Sequence, residues 1–437
     1  MIRVLLSAIV ALLLAAPLRA EIAIQEVTSP GGIKAWLVEE HSIPFTALEI
    51  RFKGGTALDA PGKRGAVKLM AATLEEGAGD LDSQGFAAAR DDLAAGIRFD
   101  AGDDAVSVSA KFLTENRDRA VDLLRMALIE PRFDPAALDR VRGQMISIVE
   151  SNAKDPQEIA AATFRRLAYG DHPYATSDDG TRASLQGLTR DDILAAKAAT
   201  MARDRLFVSA VGDITPEDLG RLLDRLLGDL PATGAPMPPP ARVDLAGGVT
   251  VVDFASPQSM VVFGQPGLRF DDPDFFAAYV LNHILGGGGF ESRLMNEVRE
   301  KRGLTYGIAS YLVNRDLADT WQGSFASANE KVAEAVQVTR DEWARMAAGG
   351  VTDAELAEAK TYLTGSYPLR FDGNGPIADI LVGMQLDGRP MDYVQKRNGY
   401  IEAVTKADIA RVARRLMTPE GLRFVVVGQP AGLSATN

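Results

Sequence analysis

The spacing of apolar residues follows the same plan twice along the chain. At 48–52 apolar residues occupy every second position, as they do in a strand, and the pattern over 134–149 is typical of a long helix. In the second half, a short apolar run at 260–263 precedes another long helical pattern over 331–346. These patterns predict helices packed on mainly antiparallel sheets, which is an α+β class of fold.

A helix–strand segment near residue 190 recurs near the C-terminus. Five residues of the first copy are matched by the same residue 216 positions later: Thr189, Asp192, Ile193, Met201 and Gly212. In both copies the threonine and the aspartate are suited to cap a helix, and an apolar strand follows. Chance similarity between two helix–strand pairs is the alternative. Five matches at one offset instead predict two homologous domains.

Prolines mark the boundary between the two copies. Pro236 and Pro238 to Pro240 lie in a stretch that cannot continue a helix or a central strand. We therefore predict an N-terminal domain over 21–232, a Pro-rich linker over 233–243 and a C-terminal domain over 244–432. A chain of 437 residues is also too long for one ordinary hydrophobic core.

The first twenty residues have the pattern of a secretory signal peptide. Arg3 leads into an apolar run over 4–16, followed by Pro17 and the small residue Ala20. The run is short for a membrane span, and an uncleaved anchor is the alternative. We expect cleavage after Ala20, export to the periplasm, and no stable membrane insertion afterwards.

Composition narrows the classes of function. The chain has no cysteine, which excludes disulfides, thiol catalysis and a lipoprotein anchor. Its net charge is −12, and removal of residues 1–20, with two arginines and no acids, gives 45 − 59 = −14. Such a balance argues against nucleic acid as a partner.

A candidate site lies in the stretch 292–307. The stretch predicts a helix that ends near Gly303 and a strand that starts at Leu304. This reversal would bring the guanidinium of Arg299 and the phenol of Tyr306 close together. The two groups could then hold a carbonyl oxygen as negative charge develops on it. A cation at a helix C-terminus and a half-buried strand tyrosine are the alternatives.

Four sets of residues occur in a fixed order along the chain. They are Gly54-Gly55 followed by residues 65–72, Asp171-His172-Pro173-Tyr174 followed by Gly180-Thr181, the stretch 286–294, and the stretch 299–306. Together they resemble the pitrilysin/insulinase family of zinc peptidases, the inverzincins with the motif H-x-x-E-H. The resemblance covers nearly the whole chain after residue 20. It implies two homologous α+β domains, each a mainly antiparallel sheet packed with helices, which together form half of a clamshell.

The zinc motif of that family is degenerate in this chain. Lys68 and Ala72 stand at the positions of its two histidines, and Ala71 stands at the position of its general-base glutamate. The third ligand, a glutamate, is replaced by Ile148, and the nearby Glu150 would face elsewhere on its helix. A lysine and apolar residues cannot supply the donors that zinc needs.

The three histidines offer no substitute. His41, His172 and His283 lie far apart in sequence, and none is within a helical turn of another. We expect structural roles for all three. The chain is therefore predicted to hold no metal and no other cofactor.

The resemblance implies a division of labour. In family members zinc lies in the first domain, and an arginine–tyrosine pair in the second domain contacts the substrate across an internal cavity. Some bacterial members are heterodimers in which one subunit holds zinc and its partner supplies the pair. This chain resembles the second type, with Arg299 and Tyr306 acting on peptide held by a homologous, zinc-bearing partner. The alternative is a non-hydrolytic peptide-binding or assembly protein that keeps the fold. An active single-chain protease conflicts with the degenerate motif.

Two further stretches carry expectations. In noncatalytic subunits of processing peptidases a glycine-rich segment touches the peptide, so Gly286, Gly287, Gly288 and Gly289 are substrate-contact candidates by resemblance. A flexible connector between two helices is the alternative for this glycine run. The acidic pair Asp103-Asp104 is expected to form an ordinary solvated turn.

Overall fold

The computed structural model describes residues 22–436. The predicted signal peptide therefore lies outside the described residues. The strands are β1 Gln25–Thr28, β2 Lys34–Glu39, β3 Phe45–Lys53, β4 Gly77–Ala78, β5 Leu81–Asp82, β6 Gly96–Ala101, β7 Ala105–Leu113, β8 Leu206–Gly212, β9 Gly248–Asp253, β10 Gln258–Pro266, β11 Ile308–Asn314, β12 Asp319–Ala328 and β13 Arg423–Gly428.

The α-helices follow in the same order. They are α1 Ala66–Thr73, α2 Ser83–Asp92, α3 Arg117–Ile129, α4 Pro135–Asn152, α5 Pro156–Tyr169, α6 Arg182–Gln186, α7 Arg190–Thr200, α8 Pro216–Leu227, α9 Phe275–Asn282, α10 Val332–Gly349, α11 Asp353–Ser366, α12 Asn374–Leu386, α13 Tyr393–Ala403 and α14 Lys406–Leu416. Two segments of π-helix, His283–Gly287 and Met295–Glu300, lie between α9 and β11.

Two large sheets have the same topology. The first has the order β1-β2-β8-β3-β7-β6, and the second has the order β11-β12-β10-β13-β9. In the first β2 and β8 run parallel, in the second β9 and β13 run parallel, and the other neighbouring pairs are antiparallel. When the first sheet is read from β2 and the second from β9, the order β2-β8-β3-β7-β6 corresponds to the order β9-β13-β10-β12-β11. The predicted α+β class with mainly antiparallel sheets is confirmed.

The repeated threonine and aspartate form the predicted helix caps. At the start of α7 the Thr189 hydroxyl accepts from the Asp192 N–H, and the Asp192 carboxylate accepts from the Thr189 N–H. Thr405 and Asp408 repeat this capping box at α14. Each box satisfies backbone donors that the first turn of a helix leaves free. The duplicated residues are therefore the ones that fix where the helix before β8 and the helix before β13 begin.

Each half of the chain covers the sheet of the other half with one helix. Helix α5 packs on the second sheet, where Phe164 lies against Gly264 so closely that an added Cβ would be 2.8 Å from Phe164 Cζ. Helix α12 packs on the first sheet, and the Ser209 hydroxyl donates to the carbonyl oxygen of Ala378 at 2.6 Å. With helices on both faces the central strands β8 and β13 are buried almost throughout. Burial of each large apolar side chain contributes about 2 kcal/mol.

Residues 233–243, the predicted linker, run without helix or strand between α8 and β9. Their backbone is fastened at several points: the Ala235 N–H donates to the carbonyl oxygen of Ala199 at 2.9 Å, and the Ala241 N–H donates to that of Leu317 at 2.8 Å. The exact bounds of the two predicted domains stay a prediction. Among residues 22–436, no helix combines the length and the apolar character that a bilayer crossing requires.

Candidate functional site

Arg299 and Tyr306 lie on either side of a tight reversal. Arg299 is in the π-helical segment Met295–Glu300, and Gly303 ends this segment with a left-handed φ of 59°, its N–H donating to the carbonyl oxygen of Arg299 at 2.8 Å. A side chain is strained at such a φ, so the sequence position of the glycine is explained. The predicted helix end near Gly303 agrees with this geometry.

The predicted start of the strand at Leu304 is wrong, because β11 begins at Ile308. The Thr305 hydroxyl donates to the carbonyl oxygen of Ala326 on β12 at 2.6 Å. This side chain occupies an acceptor that a backbone N–H of a longer β11 would otherwise use. Tyr306 therefore lies in a bend before the strand and not in the sheet.

The side chains of Arg299 and Tyr306 face solvent. Tyr306 is 86% exposed, and its hydroxyl makes no hydrogen bond to any residue of the described part of the chain. Arg299 is more restrained: it pairs with Glu300 at 2.8 Å, and its guanidinium lies 4.7 Å from the centre of the Phe290 ring. No hydrogen bond links Arg299 to Tyr306 among residues 22–436. The Tyr306 hydroxyl is thus accessible and the Arg299 guanidinium is partly exposed, which suits contact with another molecule.

Most of the glycine run that precedes Phe290 is closely packed. Gly286 is buried at the end of the first π-helical segment, and an added Cβ would overlap the side chain and the backbone nitrogen of Ser310 on β11. Gly287 and Gly288 lie closely against Asn282 and His283 of the preceding turn, and Gly289 has a φ of 61°. The run is therefore required by close packing and by one left-handed position.

A cavity of about 640 Å³ opens beside this run. Gly286, Gly287, Gly289 and Phe290 form one side, and the start of β11, including Tyr311, forms another. This volume is within the range of ligand sites in proteins. The substrate-contact role of the glycines stays a prediction, but three of the four line a space adjacent to the residue that supports Arg299.

The residues of the degenerate zinc motif lie on α1, and one of them, Lys68, takes part in ion pairs. Lys68 Nζ donates to the carbonyl oxygen of Ala101 at 2.8 Å and to Asp178 at 3.3 Å, and it lies 3.5 Å from Asp100. Ala71 is buried in the first core and Ala72 is exposed. The sequence did not show what Lys68 does at this position. The structure shows that its ammonium is bound by carboxylates from β6 and from the loop before α6.

Neighbouring carboxylates keep the Lys68 ammonium protonated. Burial by itself would lower the pKa of Lys68, but the carboxylates of Asp178, Asp100 and Asp179 outweigh that effect and raise it. Burial would likewise raise the pKa of Asp178, and the charge of Lys68 lowers it instead. A cation therefore lies at the position that the resemblance assigns to the first histidine of the motif, and it would repel a metal ion.

The predicted position of the third ligand is equally unsuitable. Ile148 lies half exposed on α4, which packs against α1. Glu150, two residues on, is paired with Arg182 on α6. Within residues 22–436 there is no cluster of three or more histidine, cysteine or acidic side chains that could hold a metal ion.

The three histidines have separate surroundings. His41 is bound by Asp213 at 2.7 Å, and the hydrogen bond to this carboxylate raises the pKa of His41. In His172 Nε2 is bonded to the carbonyl oxygen of Pro239 at 3.1 Å, and burial lowers the pKa of the imidazole. The ring of His283 stacks on Tyr362 with 5.1 Å between centres, and burial lowers its pKa as well.

The expectation of a solvated turn at Asp103-Asp104 is wrong. Asp103 is bound by Arg64 at 3.0 Å and by Arg315 of the second half, and Asp104 accepts a hydrogen bond from the hydroxyl of the fully buried Tyr174. Burial raises the pKa of Asp104. This network of ion pairs and hydrogen bonds joins the two halves. The tyrosine of the Asp-His-Pro-Tyr motif could have indicated it, because a buried tyrosine hydroxyl needs a hydrogen-bond partner.

The chain is similar in sequence to known proteins. Residues 187–363 match the family model described as Peptidase M16 inactive domain. The protein named Non-peptidase homolog YmxG from Helicobacter pylori is 26% identical over 391 residues, covering 89% of this chain and 90% of that protein. The probable mitochondrial-processing peptidase subunit beta of Schizosaccharomyces pombe is 26% identical over 331 residues, covering 72% of this chain and 71% of that protein.

The chain is also similar in fold to a solved structure. The crystal structure of a peptidase M16 inactive domain from Pseudomonas fluorescens has a TM-score of 0.86 and 26% identity, covering 95% of this chain and 100% of that chain. The sequence and the fold are therefore similar to those of inactive peptidase M16 domains, and Lys68 lies at the position that the resemblance assigns to a zinc ligand. The predicted resemblance to pitrilysin/insulinase-type peptidases is confirmed.

Proposed function

We propose that this chain is the noncatalytic subunit of a heterodimeric zinc peptidase. It would present Arg299 and Tyr306 to a peptide held at the zinc of a homologous partner subunit. The observation that carries the proposal is the exposure of Tyr306, whose hydroxyl has no partner among residues 22–436, on a chain in which Lys68 occupies the metal position. An exposed donor without a partner in its own chain is available to bind another molecule.

The chemistry assigns a specific task to the two side chains. Zinc in the partner would supply an activated water for attack on the peptide carbonyl. Negative charge then develops on the carbonyl oxygen, and the phenol and the guanidinium stabilise it more in the transition state than in the ground state. Loss of one such donor typically lowers the rate about a hundredfold to a thousandfold.

The relatives support work in an assembly. The relative from Schizosaccharomyces pombe is named as a subunit of a processing peptidase. The pattern of residues 1–20 supports the periplasm as the place where such a complex would act. The partner we propose is a protein of similar length that carries an intact H-x-x-E-H motif.

A second candidate function is peptide binding or assembly without hydrolysis. The name of the relative from Helicobacter pylori, a non-peptidase homologue, favours it. In this case the cavity beside the glycine run would hold a peptide segment, and Arg299 and Tyr306 would contribute to affinity and not to rate.

Reconstitution of the chain with its proposed partner distinguishes the two proposed functions. The chain is mixed with the H-x-x-E-H homologue from the same cell, and cleavage of an unstructured peptide is measured with and without a chelator. We expect stimulation that the chelator removes and that Arg299→Ala or Tyr306→Phe reduces at least a hundredfold. Arg242→Ala and Tyr400→Phe are matched controls on the surface. Normal stimulation by both site variants contradicts the first proposal, and peptide binding without any stimulation supports the second.

A further inference from the structure

A second cavity, of about 340 Å³, lies far along the chain from the glycine run. It is formed where α12, the helix that covers the first sheet, meets α9, α13 and the 3₁₀ turn Tyr367–Arg370. None of its lining residues also lines the cavity beside Phe290. Nothing in the proposed peptidase role uses this second cavity.

Six aromatic side chains line this cavity. The ring centres of Phe270 and Phe275 are 4.3 Å apart, and Tyr393 meets Phe270 edge to face at 6.1 Å. Tyr279 stacks on Phe275 with 6.2 Å between centres. Such walls favour a flat or branched apolar group that packs against rings.

Arg397 places a buried positive charge at this cavity. The residue is only 6% exposed, and Nη1 donates to the carbonyl oxygen of Leu363 at 2.6 Å. Its guanidinium lies 4.4 Å from the centre of the Tyr367 ring. No carboxylate in residues 22–436 forms an ion pair with it. A buried cation without an anion costs free energy, which an anionic ligand would recover.

A second arginine, Arg389, also lines the cavity. The Arg389 guanidinium is 3.5 Å from the centre of the Phe270 ring and 4.6 Å from that of Tyr393. It pairs with Asp387 at 2.8 Å, but its Nε is buried and has no hydrogen-bond partner. The other acid at the rim, Asp379, is already paired with Arg51 at 2.5 Å. The balance of charge that faces the cavity is therefore positive.

Two buried phenols add further donors to this cavity. Tyr367 and Tyr393 are both nearly buried, and burial raises the pKa of each. Their hydroxyls therefore stay neutral and able to donate at physiological pH. Donors surround the cavity while its acids are engaged, which is the arrangement that recognises a carboxylate.

We propose that this cavity binds a small organic carboxylate with an aromatic or other apolar body. The carboxylate would pair with Arg397, and the body would pack between Phe270, Phe275 and Tyr393. The volume equals that of roughly eleven water molecules in the liquid, enough for a ring with a short carboxylate chain. The proposal is independent of the peptidase role.

Gly383 offers a way to close the cavity without changing its charges. It lines the cavity from α12, and an added Cβ would meet no heavy atom within 4 Å. Leucine is also a better helix former than glycine, so Gly383→Leu should fold. Gly365→Leu on α11 is the matched control, because Gly365 has equal free space and lies outside the cavity.

The test is calorimetric titration of the full chain with 3-phenylpropionate, together with 3-phenylpropanamide, acetate and inorganic phosphate. We expect binding of 3-phenylpropionate, at least tenfold weaker binding of the amide and of acetate, and at least a tenfold loss in Gly383→Leu but not in Gly365→Leu. Arg397→Gln should lose binding as well. Absence of binding at millimolar concentration, equal binding by Gly383→Leu, or equal binding of phosphate alone overturns the proposal.

Discussion

The guanidinium of Arg299 lies 4.7 Å from the centre of the Phe290 ring. This contact joins two features that are separate in sequence, the glycine run that ends at Gly289 and the helix that carries Arg299. The packing of Gly286 against Ser310 fixes the run on β11. The position of Phe290, and through it that of Arg299, is thus set by the second sheet.

Loss of the ring should loosen Arg299 without removing it. In Phe290→Leu we expect the partner-stimulated kcat/KM to fall about two- to fivefold, because an exposed cation–π contact contributes about 0.5–1 kcal/mol. The measurement is peptide cleavage by the reconstituted pair. Leu369→Ala, which truncates another exposed apolar side chain, is the control. A hundredfold loss in Phe290→Leu would mean that the ring itself contacts substrate.

Removal of the ammonium at the degenerate motif should destabilise the fold. Lys68→Met leaves Asp178 and Asp179 without their cation, and we expect a loss of about 2 kcal/mol in the free energy of unfolding at pH 7. Urea unfolding measures this loss. Lys34→Met, which breaks an exposed pair with Glu26, should change stability by less than about 0.5 kcal/mol.

The same pair predicts a pH dependence. Lys68 lowers the pKa of Asp178 in the folded state, so the stabilisation is present above the unfolded pKa of about 3.9 and is lost as pH falls through the folded pKa. The difference in stability between the wild type and Lys68→Met should therefore narrow below about pH 4. A difference that is constant from pH 7 to pH 3 contradicts the ion pair.

Arg315 should couple the two halves. It pairs with Asp103 of the first half and stacks on Tyr174 with 5.0 Å to the ring centre. Arg315→Met is expected to cost about 3 kcal/mol, since a mostly buried ion pair is broken on one side. Arg242→Met, at an exposed position with a weak pair, is the control. Equal unfolding midpoints for the two variants would show that the network contributes nothing to stability.

Glu355 should make the fold sensitive to acid. Arg293 binds its carboxylate through Nε at 2.6 Å and through Nη2 at 2.8 Å, and these bonds lower the pKa of Glu355 to about 2. The stabilisation is present above the unfolded pKa and disappears as pH falls toward 2. Glu355→Gln should thus unfold at lower urea at pH 7 and show a flatter pH profile. Glu358→Gln on the same helix should behave as the wild type.

Local features were predictable from sequence because their causes are local. The capping boxes at Thr189 and Thr405 depend on residues three positions apart, and the helix end at Gly303 depends on one backbone conformation. The start of β11 was not predictable in this way. It depends on the Thr305 hydroxyl meeting Ala326, which lies on another strand.

The residues alone predict the α+β pattern, its duplication and the family resemblance, which assigns Lys68, Ala72 and Ile148 to zinc-ligand positions and Ala71 to the general-base position. Each of these follows from residue type and spacing. The pairing of Lys68 with Asp178, 110 positions away, and of Asp103 with Arg315, 212 positions away, is set by the folded chain. The spacing of apolar and charged residues predicts which face of a helix or strand is apolar or charged. Which other segment packs against that face depends on how distant parts of the chain fold together.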